Sequence, residues 1–296
     1  MVASQGNDMT ADDHSSIEIQ LESVLRDIGI PPRPAILDRI GSEMYKVEPD
    51  FNSLAGIISA DVALSASMIK LTNSPFFGFR SRVRSVKEAL MVLGLDVASR
   101  AIAGIILRKA FPNSPQLERF WDVSARIARI SGWLAQRVTN NNLRPDDAYT
   151  FGLFRDCGIP ILLARFPGYY GVLTEANHEA SCSFTVIEDT HLPTNHAVVG
   201  CLLARSWGLP EEISLSIRNH HDVNALTAPN IPPSLNSRYQ IAVSQFAEYL
   251  LQHQKGLGYT QEWAKLGPAC LQLLNVSEED VKSILAEAIP VIEAGD

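Results

Sequence analysis

An all-α fold is predicted by three features of the chain. Apolar residues recur at the i, i+3, i+4 spacing of a helix face in segment after segment, strand-like alternation is scarce, and Gly, Pro and Ser/Asp residues punctuate the segments as caps and stops. Residues 1–14 carry no apolar periodicity and are expected to form a flexible tail. Ser15 and Glu18 then make a capping-box pattern ahead of Ile17, Leu21, Val24, Leu25 and Ile28, which share one helical face until Gly29 ends it. Pro31, Pro32 and Pro34 force an extended entry before Ile36, Leu37 and Ile40. Further helices are expected over Phe51–Ser59, Val62–Thr72 and Val86–Leu93, the last capped by Ser85 with Glu88 three residues on. Gly94 and Asp96 punctuate before Val97–Phe111, whose end carries Arg108 and Lys109, the sign the helix dipole prefers.

The break at Pro112–Pro115 places a boundary between an N-terminal helical lobe, about residues 15–111, and a second lobe, about 117–222. In the second lobe the pattern gives helices at Leu117–Asn140, Pro145–Phe154, Ile159–Arg165, Tyr169–Asn177 and Phe184–Thr190. His196–Trp207 and Pro210–His221 follow, with Gly208 as the stop between them and Pro210 in a first turn. Asp222–Ser237 holds three prolines and three asparagines and reads as a loop. Two or three more helices close the chain, one starting at Ser277 with Asp280 at the capping-box offset; residues 223–296 are expected to pack on the second lobe.

Composition narrows the function. The 46% apolar content excludes disorder, and a net charge of -8 opposes non-specific attraction to phosphate backbones or anionic lipid. Apolar runs such as Ala101–Leu107 are far short of the roughly 20 residues of a bilayer helix, so no membrane span is expected. The first sixteen residues lack the basic start and apolar stretch of a signal peptide, which points to the cytoplasm. Cys157, Cys182, Cys201 and Cys270 form no C-x-x-C pair and suit reduced thiols.

Chemistry has two candidate locations. Asp156, His196, His220 and His221 are natural ligands for zinc, iron or manganese. The short turn at Gly208 makes two antiparallel helices that bring His196 and His220 to one side. His220 and His221 are neighbours on a helix, about 100° apart, so one of them is expected to face a given centre. The competing reading has these histidines capping helix ends against backbone carbonyls. The second location is Phe76 to Arg84, where Arg80, Arg82 and Arg84 interleave with aromatics as in single-strand binding surfaces; its plainer reading is a turn with packed Phe76 and Phe77 between the lobes and solvated arginines. No P-loop, G-x-S-x-G or G-x-G-x-x-G is present.

Ile30-Pro31-Pro32-Arg33-Pro34, Ile58 to Ser65, Asn73-Ser74-Pro75-Phe76-Phe77-Gly78 and Ser85 to Gly94 together resemble the bacterial HDOD domain, the HD-related output domain of signalling proteins. The second lobe continues the resemblance through Phe120-Trp121, Gly152 to Gly158, His196 to Gly200 and Trp207 to Pro210, so that it runs from about Leu25 to Asp222 and implies a domain over residues 15–222. It implies an all-α fold similar to HD phosphohydrolases and HD-GYP phosphodiesterases, which gather a first histidine, a His-Asp doublet and a later aspartate around divalent metal. Those positions here are Val123, Arg155-Asp156 and Gln245. A guanidinium cannot coordinate a cation and repels one beside Asp156.

The resemblance therefore implies a vestigial pocket of Arg155, Asp156, His196, His220 and His221, with no catalytic residue, no metal and no cofactor. A divalent transition metal in that pocket is the alternative. The function implied is that of a non-enzymatic bacterial regulator acting on signalling proteins or as a homodimer, with nucleic acid an unexpected partner. Its rival is a divergent metal-dependent phosphohydrolase.

Overall fold

In a computed structural model, residues 27–112, 114–138, 142–228 and 233–294 are described, and among them every regular element is a helix. The tail and most of the Ile17–Ile28 series lie outside these residues; Asp27 and Ile28 are helical, and Gly29 follows at φ 88°.

Four helices open the fold: α1 (Ala35–Met44), α2 (Phe51–Ser59), α3 (Val62–Thr72) and α4 (Val86–Lys109). Local chemistry sets their starts. Asp50 accepts from the Asn52 and Ser53 amides, Asp61 from Leu64 and Ser85 from Glu88. The Ser85 cap differs from the expected box in one respect, since Glu88 reaches back to the Arg84 amide at 2.8 Å, one residue earlier. α2 and α3 meet at 118° and, with α1, pack on α4.

By length and composition alone α4 is apolar enough to cross a membrane, against the sequence-based expectation. Its geometry is otherwise. Gly94 at φ 74°, ψ 163° breaks it into two shorter pieces, a backbone conformation that only glycine adopts readily. Beyond the break Arg100 is buried and ion-paired to Asp96, Asp146 and Asp147, the last two on the following lobe.

Next come α5 (Pro115–Val138), α6 (Pro145–Phe154), α7 (Gly158–Arg165), α8 (Tyr169–His178) and α9 (Phe184–His191). They are followed by α10 (His196–Ser206), α11 (Glu211–Asn219), α12 (Val223–Thr227), α13 (Leu235–Lys255), α14 (Glu262–Leu274) and α15 (Glu278–Glu293). α5 lies along α6 and α13, α13 along α14, and α10 along α7 and α11. Pro210 sits one residue before the first turn of α11, at its cap. The expected loop at 222–237 contains α12, because Asp222 accepts from the Asn224 amide and seeds a short turn before the prolines are reached; α13 begins at Leu235 under a Ser234 cap. Ser277 and Asp280 form the full capping box.

Phe76 leaves the first lobe to stack on Tyr149 of α6, 4.5 Å between ring centroids. Trp207 Nε1 donates to Pro31 O at 3.0 Å, and the Arg33 guanidinium lies over Gly208, where a Cβ would meet Nη1 at 2.4 Å. α7 approaches α10 still more closely. A Cβ on Gly158 would sit 2.1 Å from the His196 carbonyl oxygen and 2.9 Å from the Gly200 nitrogen, so backbone meets backbone there. Gly158→Ala must push α10 and its His196 away. It is expected to lower stability by about 1–3 kcal/mol, the usual range for overpacking; an unchanged melting curve would show that α10 shifts freely.

Candidate metal centre

The centre is assembled from helix ends. Asp156 lies in the turn between α6 and α7, His196 is the first residue of α10, His220 caps the C-terminus of α11, and His221 follows it. Asn195 caps α10 by accepting from the Val198 amide at 2.9 Å, which fixes where His196 starts. His196 is 0% exposed, His220 2% and His221 8%.

Both His220 and His221 face His196, contrary to the expectation that one would. His196 Nε2 lies 3.3 Å from His220 Nε2 and 3.1 Å from His221 Nε2. The 100° rule fails because α11 ends at Asn219: His221 lies in a turn, where successive side chains need not diverge. Asp156 Oδ1 completes the group, 3.2 Å from His220 Nε2 and 3.7 Å from His196 Nε2. One donor atom from each of the four residues falls within 4.8 Å of every other.

Each imidazole is held from behind. Nδ1 of His196 donates to Glu188 Oε2 at 2.7 Å, and Nδ1 of His221 donates to Glu262 Oε2 at 2.6 Å. His220 Nδ1 donates to Ile217 O at 2.7 Å, the one backbone cap of the kind the competing reading anticipated. All three acceptors take the Nδ1 proton, so in the neutral rings the Nε2 lone pairs are bare and point at one another. The carboxylates are themselves anchored, Glu188 by the Tyr169 hydroxyl and Glu262 by Lys265. Phe184 roofs the group, stacked on His221 at 4.8 Å and edge-on to His196 at 5.2 Å.

Arg155 is 4% exposed and also belongs to the centre. Its Nε donates to Asp156 Oδ2 at 2.9 Å and its Nη2 to Glu248 Oε1 at 2.7 Å, while Gln245 Nε2 donates to Glu248 Oε2 at 3.0 Å. Helix α13 thus presents its carboxylate from Glu248, three residues past Gln245. Val123 packs half-buried beside Gly258.

The charges respond to one another. Burial opposes ionisation of Asp156, but Arg155 together with His220 and His196 outweighs it and holds the carboxyl well below its usual range. Burial likewise disfavours a His196 cation, yet Glu188 and Asp156 together outweigh it and the pKa stands above the ordinary imidazole value. Burial and the two neighbouring imidazoles hold His221 well below that value. Burial raises Glu248, and Arg155 offsets this only in part.

The donor set fits a single divalent transition ion. Bonds of about 2.0–2.1 Å to imidazole nitrogen imply ligand-to-ligand edges of roughly 2.8–3.4 Å across octahedral and tetrahedral shells. The two Nε2 separations from His196 fall in that span. His196, His220, His221 and Asp156 would hold the ion, which would supply Lewis acidity to anything that reached it.

Sequence reasoning named Asp156, His196, His220 and His221, and the structure brings them together; it missed Glu188, Glu248 and Glu262. A signal for Glu248 does exist, a lone carboxylate inside the apolar run Phe246-Ala247-Glu248-Tyr249-Leu250. The aromatic and basic stretch is separate: Phe76 and Phe77 are half-buried near Tyr149, and Arg80, Arg82 and Arg84 are exposed. Glu188→Gln and Glu262→Gln are each expected to weaken zinc binding 10- to 100-fold, as loss of a partner behind a ligating imidazole generally does. Zinc titration followed by the rise in melting temperature measures this, and undiminished affinity in both would sever the carboxylates from the site.

Comparisons with known proteins agree with this fold. The chain is 27% identical over 219 residues to an uncharacterised Treponema pallidum protein, covering 70% of this chain and 42% of that relative's length. The crystal structure of an HDOD domain protein of unknown function from Geobacter sulfurreducens superposes with a TM-score of 0.64 at 24% identity, covering 95% of this chain and 98% of that one. A candidate phosphohydrolase from Shewanella amazonensis superposes with a TM-score of 0.65 at 17% identity, covering 93% and 96%. At these identities the solved structures speak to the fold alone. The sequence profile of the HDOD domain matches residues 30–223, and the chain belongs to the HDOD domain family.

Proposed function

We propose that this HDOD protein is a non-enzymatic regulator in bacterial signal transduction. It works through protein contacts, and its buried centre holds one divalent transition metal as a structural element. One observation carries the reading: the three imidazole donors are closed off, and Asp156, 18% exposed, is tied to Arg155. The three imidazoles are at most 8% exposed, and the second oxygen of Asp156 is taken by Arg155.

Metal-assisted phosphoester hydrolysis needs an open coordination position for water and room for the phosphate beside it. Four protein donors around one ion suit a structural site, and Arg155 and Phe184 pack directly against them. HD-type chemistry is the reading this displaces; its support is the donor set together with a fold shared with candidate phosphohydrolases.

The test is a phosphodiesterase assay on protein loaded with zinc, manganese or iron, with a generic aryl phosphodiester and cyclic dinucleotides as substrates. Turnover is expected to stay at the level of the metal blank, while the loaded protein melts several degrees higher than the stripped one, because an ion bound only by the native state stabilises it. Metal-dependent turnover that disappears in Asp156→Ala would overturn the proposal.

A further inference from the structure

Asp156 is shared between the imidazole group and a guanidinium. Its Oδ1 faces the imidazole group and its Oδ2 accepts from Arg155. Arg155 in turn gathers a second carboxylate, Glu248, whose other oxygen is occupied by Gln245. A carboxylate with one oxygen toward each of two cations is the arrangement that bridges paired metal ions, and here a guanidinium fills one of the two places. The charge count agrees. Asp156, Glu188, Glu248 and Glu262 face two permanent cations, Arg155 and Lys265, so with neutral imidazoles the cluster is short by two positive charges. One divalent ion makes up that shortfall.

We propose that Arg155 is a built-in second cation that limits the centre to one metal ion. Removing it would uncover a second site made of Asp156 Oδ2 and Glu248. The two places differ in chemistry. Three imidazoles suit transition ions of borderline softness, whereas an oxygen-only set suits hard cations, manganese among them. The inference rests on the reading that the imidazole group holds one ion, and it adds that the count is set by Arg155. Were Arg155 only a packing element, its removal would leave the count unchanged.

The experiment counts manganese. Metal-stripped full-length protein is dialysed against excess Mn2+, bound metal is determined by mass spectrometry, and the electron paramagnetic resonance spectrum is recorded. The wild type is expected to bind one ion per chain with the spectrum of an isolated ion. Arg155→Ala and Arg155→His are each expected to bind two, with the spectrum altered by coupling between neighbouring ions. Arg155→Lys, which keeps the charge, should stay at one. Should Arg155→Ala not fold, Arg155→His decides, since it retains a side chain of substantial size. A wild type that binds two ions, or folded Ala and His variants that still bind one, would overturn the proposal and leave the single-ion site in place. A wild type that binds none would remove the single-ion reading and this inference with it.

Discussion

Two imidazole nitrogens set within 3.3 Å of a third, that of His196, cannot remain in the interior without positive charge among them. The rest of the site follows from that constraint. Glu188 and Glu262 set the tautomers that aim the lone pairs inward, Asp156 supplies negative charge beside them, and Arg155 keeps Asp156 ionised from the far side. Tyr169 and Lys265 keep the two outer carboxylates in place. Buried carboxylates on this scale are costly unless paired, and each one here has a partner.

The centre also accounts for where α10 begins and α11 ends. An imidazole at a helix terminus is free of the 3.6-residue periodicity, so α10 can begin with one ligand and α11 can end with another followed at once by a third. Carboxylates from α9, α13 and α14 then reach in between neighbouring helices. Helix packing places the ligands, and the ligands cross-link helices that are distant in sequence. Gly158 makes this closeness tolerable, since any side chain there would collide with the His196 carbonyl.

Much of the fold was legible beforehand because its signals are local. A Ser or Asp cap, a proline break and an apolar stripe act over a few residues, and the helices from Phe51 to Ser206 begin and end within a residue or two of where those signals put them. The four pocket residues Asp156, His196, His220 and His221 were legible by residue type. Their convergence was not, because the angle between His220 and His221 depends on whether the helix continues past Asn219, which tertiary packing decides. Nor were Glu188 and Glu262, since an acidic residue on an amphipathic helix looks alike in sequence whether it meets water or a buried histidine. Arg155 stood out early as a charge unsuited to a metal; that it would be shared with Glu248 on a helix more than ninety residues away had no local trace.

The contact of Trp207 with Pro31, and of Arg33 with Gly208, acquires a mechanical meaning once the imidazoles are placed. The turn they grip joins α10 to α11, and the histidines sit at the opposite ends of both helices. The pair is a lever: eleven residues at about 1.5 Å each give an arm of roughly 16 Å, so a tilt of about 4° at the turn carries the imidazoles by about 1 Å. That displacement is about a third of their spacing, enough to loosen a coordination shell. The proline strap and the imidazoles thus stand at the two ends of one helix pair, joined by backbone alone.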